Sequence, residues 1–145
     1  MADTSKLLEV EQFVRENCLQ QSFGQNFTKR DMPLGWKTGG MFEVDAVSED
    51  GTIAACITTS ASSGKPKPGQ IRKICTDALF MLNLRDVKTR LLAFTDKAMH
   101  DHFVKEQDKG RFPDTIDLLH CPLNPAQQQI VDSVHGKAVK EMTQP

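Results

Sequence analysis

The residues of this chain best suited to chemistry are carboxylates on a strand and lysines in a loop. Asp45 sits near the end of a strand-like run, Gly40-Met41-Phe42-Glu43-Val44-Asp45-Ala46-Val47. Side chains two apart on a strand share a face, so Glu43 joins Asp45, while Phe42, Val44 and Ala46 face the other way. Carboxylate oxygens are the donors that Mg²⁺ prefers. The turn Ser48-Glu49-Asp50-Gly51 leads into a second run, Thr52-Ile53-Ala54-Ala55-Cys56-Ile57-Thr58-Thr59, on which Cys56 and Thr58 share a face. Lys65, Lys67, Arg72 and Lys73 then fall in a stretch with no acidic residue before Asp77, a grouping able to meet phosphates. A Pro/Gly/Ser loop also carries lysines simply to stay solvated, and the two readings of this stretch stand side by side.

Strand, tight turn, strand, basic loop and helix, with an aspartate near the end of the first strand, resembles the PD-(D/E)XK nuclease superfamily. The resemblance implies a restriction-endonuclease-like α/β fold with Asp45 as the metal-binding aspartate. It also implies a second carboxylate where Cys56 stands and a lysine where Thr58 stands. A glutamate on the first helix often assists in that family, and Glu11 occupies such a position. The chain departs from the pattern at two of its three catalytic positions. A thiol is a poor ligand for hard Mg²⁺ and a hydroxyl carries no charge. The leading expectation is therefore a nuclease-like domain with a degenerate site and no cofactor, binding nucleic acid or a protein partner. The alternative is an active Mg²⁺-dependent nuclease with relocated groups: Asp45 and Glu43 for the metal, Lys73 as a migrated lysine, Glu11 assisting. A third reading is a structural or assembly subunit, including a homo-oligomer, without nucleic-acid contact.

The elements that must position these residues are legible from periodicity. Leu7, Val10, Val14 and Cys18 predict an amphipathic helix over Lys6–Leu19, with Asp3, Thr4 or Ser5 as N-cap. From Gln20 to Thr38 the pattern is irregular, with a weak strand signal around Leu34-Gly35-Trp36. Pro68 suits the first turn of a second helix, whose apolar face is Ile71, Ile74, Cys75, Ala78, Leu79 and Leu82. Leu91-Leu92-Ala93-Phe94 reads as a doubly buried strand. Asp96 opens a third helix that Gly110 ends. Thr115–His120 is a short strand. Asn124-Pro125-Ala126-Gln127 starts a last helix with Ile130, Val131, Val134 and Ala138 on one face. The sum is one α/β domain over residues 1–145, with a mixed sheet of about four strands flanked by helices.

The composition narrows the classes. Hydrophobic residues at 39% and charged residues at 26% fit a globular domain. The formal net charge of -1 places any nucleic-acid contact on a local patch, since non-specific DNA binders are basic overall. No run approaches the roughly 20 apolar residues of a membrane span. Cys18, Cys56, Cys75 and Cys121 lie far apart with no CxxC pair, which predicts reduced core thiols, no zinc module and no disulfide framework. A cytoplasmic location is the expectation that follows. Gly64-Lys65 fails as a phosphate-binding loop, because Thr59 and Pro66 stand where Gly and Ser/Thr are required. His100-Asp101-His102 is a poor metal motif, because residues two apart on a helix diverge.

Overall fold

The computed structural model describes residues 5–62 and 64–143, with side chains described as far as His135. The N-cap candidates Asp3 and Thr4 and the side chain of Ala138 lie outside the described residues. Helix α1 (Ser5–Val14) runs through a π-helical stretch (Arg15–Leu19) into a last turn, α2 (Gln20–Phe23). It is followed by β1 (Phe27–Pro33), β2 (Met41–Ser48), β3 (Ile53–Thr58), α3 (Pro68–Leu82), β4 (Thr89–Phe94), α4 (Lys97–Asp108), β5 (Asp117–His120) and α5 (Pro125–Thr143).

The strands form one five-stranded sheet in the order β1-β2-β3-β4-β5. β1, β2 and β3 pair antiparallel, whereas β3, β4 and β5 run parallel. Every residue of β3 is buried, as a central strand with helices on both faces requires. On one face, Ile74, Ala78 and Met81 of α3 and Met99 and Phe103 of α4 pack against Val44, Ala54, Cys56 and Leu92. On the other, Val14 and Leu19 pack against Ala46, Ala55, Ile57 and Ala93. The domain is thus a mixed α/β sheet between two helical layers.

The turn between β2 and β3 is closed by the side chain of Asp50, whose Oδ1 accepts from Thr52 N at 3.0 Å and from the Ser48 hydroxyl at 2.7 Å. Gly51 supplies the positive φ of 74° that completes it.

Three expectations are corrected. The first strand is β1, not the segment around Leu34–Trp36; Leu34 makes only an isolated bridge with Leu84. β1 is an edge strand whose Thr28–Asp31 are all exposed, so it lacks the apolar alternation that marks a half-buried strand. Ala46 packs in the same core as Ile57, not with Val44, because the register slips between Thr28↔Val47 and Arg30↔Val44. The extra residue on β2 is a bulge, which resets which side chains face which helix layer. Finally, Cys18 and Cys121 are not reduced: they form a disulfide with Cα atoms 5.8 Å apart across 103 residues of sequence. Cys18 lies in the π-helical stretch, and Cys121 is held at the end of β5 by its N–H donating to Phe94 O at 2.7 Å. The cysteines therefore no longer argue for a reducing compartment. Among the described residues, no helix is long and apolar enough to cross a membrane.

Candidate functional site

The site begins where the central sheet parts. β2 and β3 pair only at Ala46↔Ala55 and Val47↔Ala54. Beyond that point β2 stays with β1 as far as Met41, while β3 stays with β4 as far as Thr58. The backbone groups freed by this parting need partners. Ile57 N–H donates to Asp45 Oδ2 at 2.8 Å, and the Arg15 guanidinium donates to the Asp45 carbonyl at 2.8 Å. Asp45 is thus held by its side chain and its backbone at once, beside the bulge.

The gap opens into a cavity of about 290 Å³ lined by Glu11 of α1, Asp45 of β2, Thr58 of β3 and Lys73 of α3, together with Leu7 and Leu8. Three of the residues expected from the sequence, Glu11, Asp45 and Lys73, therefore converge from separate elements. Burial pushes the Glu11 carboxyl above its ordinary value, and the negative charge of Asp45 pushes it further, against the pull of Lys29, Arg15 and Lys73. Burial also raises Asp45, opposed by the Ile57 N–H and by Lys73. Among the described residues, neither acid has an ion-pair partner. Lys73 pairs with Asp77 one turn along α3, at 3.1 Å. Its partial burial works against its charge, but Asp77 and then Asp45 outweigh this and raise its pKa.

The remaining expected residues are placed differently. Glu43 does not line the cavity; its carboxylate is 3.2 Å from Lys29 of β1, and both side chains are largely exposed. Cys56 is 2% exposed and packs with α3 in the core, where burial, and after it Asp77 and Asp45, hold its thiol well above its ordinary pKa. That is an inert thiol, not a nucleophile. Thr58 does line the cavity, and its buried hydroxyl has no hydrogen-bond partner among the described residues. Lys65 lines a different groove, against α4. Lys67 sits at the N-cap of α3, where its N–H donates to Gln70 Oε1 at 2.9 Å, and Arg72 is exposed. His100 turns to Asp101, 3.0 Å away, while His102 meets Phe103 edge-on, so the two histidines do not converge.

Two residues that belong to this neighbourhood were not anticipated. Asp77 had a usable signal, its i,i+4 spacing from Lys73 on an amphipathic helix. Lys29 had none, because its strand is unmarked in sequence. Its charge acts on both Glu11 and Asp45.

Two half-buried acids lining one cavity offer oxygen donors of the kind Mg²⁺ takes, one or two protein carboxylates with water completing its shell. Among the described residues, no group of three or more His, Cys, Asp or Glu is disposed to hold a metal ion. Any ion held in this cavity would rest on these two carboxylates, with Lys73 beside them. Comparison with protein-family models, curated proteins and solved structures finds no match to this chain.

Proposed function

We propose that this domain is a nuclease-type module of the PD-(D/E)XK kind with a relocated site, acting on the phosphodiester backbone of nucleic acid with a divalent cation. The observation that carries the reading is the convergence of Glu11, Asp45 and Lys73 on one cavity at the parting of β2 and β3. Asp45 and Glu11 would hold the ion. When bound, such a cation lowers the pKa of water and polarises a phosphoryl oxygen. Lys73, kept charged by Asp77, supplies the positive group that orients an attacking water or meets a phosphate oxygen. Glu43 drops out of this assignment, since it does not line the cavity and its carboxylate lies beside Lys29.

A second reading, a degenerate domain that binds nucleic acid or a protein partner without cleaving, is favoured by one observation. The two positions that carry carboxylate and lysine in the resembled family hold a core cysteine and an uncharged threonine.

Mn²⁺ titration by calorimetry separates the readings, with Asp45→Ala as control. The relocated-site reading expects binding near one equivalent that disappears in the variant, together with Mn²⁺-dependent nicking of plasmid DNA that Lys73→Ala suppresses. No heat up to millimolar Mn²⁺ would leave only the binding role.

A further inference from the structure

On the opposite helical layer from α1, a second concavity runs between α3, α4 and the loop that joins β3 to α3. One part has a volume of about 550 Å³ and is walled by Lys65, Lys105, Lys109 and Arg111. The adjoining part, about 300 Å³, shares Lys65, His102, Glu106 and Arg111 with the first and adds the apolar groups Ile71 and Phe112 and the thiol of Cys75. The groove is basic at one end and apolar at the other.

Its acids are already occupied. Glu106 pairs with Arg111 at 3.2 Å, and Asp101 pairs with Lys97 at 2.7 Å and with His100 at 3.0 Å. Among the described residues, Lys65, Lys105 and Lys109 have no ion pair. Three ammonium groups without an ion pair therefore gather around one concavity. Lys105 and Lys109 stand one helical turn apart, so both can reach one anion. Phosphates answer the lysines, and a flat heterocycle answers the Ile71 and Phe112 wall. The combined volume falls in the range of small-ligand sites.

We propose that this groove is a nucleotide-binding site, separate from the Asp45 cavity, in which Lys65, Lys105 and Lys109 take the phosphates and the base lies towards Ile71 and Phe112. The assignment does not depend on the nuclease reading and survives its failure.

Cys75 provides the test. It is the exposed free thiol in the groove, whereas Cys56 is buried and Cys18 and Cys121 are joined. Alkylation of Cys75 by N-ethylmaleimide, followed by peptide mass spectrometry, therefore reports on occupancy. Millimolar ATP is expected to slow it by about threefold or more, as mass action gives at about twice Kd. Adenosine should not protect. Lys105→Ala/Lys109→Ala should alkylate at the wild-type rate without ATP and lose the protection with it. The terminal nucleotide of a strand presents the same chemistry, so 5′-phosphorylated oligothymidylate is run in parallel. Protection by that strand alone would assign the groove to strand ends, and protection by ATP alone to free nucleotides. No protection by either overturns the proposal, as does equal protection in the double variant.

Discussion

Asp45 does its structural work with two of its three oxygens. Its carbonyl and one carboxylate oxygen close the backbone where β2 leaves β3, which leaves the other oxygen for the cavity. Glu11 has no comparable structural task, and its negative charge is opposed by burial and by Asp45. A group whose folded pKa is raised binds its proton more tightly in the folded state, so its ionisation costs stability as pH rises from the unfolded value through the folded one. Glu11→Gln is therefore expected to raise Tm at neutral pH, by about 1–3 °C for a domain of this size, while weakening Mn²⁺ binding. On the relocated-site reading, the same linkage predicts that Mn²⁺ affinity falls as pH drops through the raised values of Glu11 and Asp45. Differential scanning fluorimetry and calorimetry at matched pH check both, and a Tm lowered by Glu11→Gln would show the carboxylate to be a structural anchor instead. Glu11, Asp45 and Lys73 could be named from sequence because the helices and the strand that carry them are marked there, whereas their meeting in one cavity is a tertiary fact that spacing does not carry. That Glu43 lies outside the cavity, beside Lys29, was not legible, because Lys29 lies on the strand that periodicity did not reveal.

At the scale of elements, the helices were the readable part. The N-caps at Asp96 and Asn124 are made as expected, accepting from Met99 N at 3.1 Å and Gln127 N at 2.8 Å. The end of α3 is different. Arg90 of β4 reaches back with Nε to Met81 O at 2.6 Å, and with its two terminal nitrogens to Leu84 O at 2.9 Å and Val87 O at 3.1 Å. A helix end leaves carbonyls without partners, and here one guanidinium ties the last turn and the following loop to the strand. Nothing local announces this, since an arginine opening an apolar strand looks like a solvated end. Arg90→Ala should cost about 2–3 kcal/mol in urea unfolding, as charged hydrogen bonds to buried carbonyls do. Because α3 carries Lys73, the variant should also weaken any activity that depends on that ammonium. Unchanged stability would mean that water replaces the guanidinium at no cost. β1 marks the opposite limit, because an edge strand covered on one side needs no apolar alternation to form.

The whole molecule is held by a link that sequence spacing hid. A disulfide is a property of tertiary proximity, and two cysteines 103 residues apart carry no local sign of their pairing. The bridge joins the helix that supplies Glu11 and Arg15 to the far edge of the sheet beyond β5. Closing a loop of roughly this length is worth up to about 4–5 kcal/mol on the chain-entropy account. Cys18→Ser should lower the urea midpoint accordingly, and oxidised and reduced wild type should differ in the same direction. Equal midpoints would mean that Val14 and Leu19, both fully buried, anchor the segment unaided. The bridge also makes most of the chain a covalent ring. A protease that cuts the loop between β3 and α3 would open that ring without dividing it. On a denaturing gel the nicked protein should run as one species of about 16.2 kDa until reductant is added, and only then as two. The lysines of that loop and the helices on either side of it would remain parts of a single molecule after the cut.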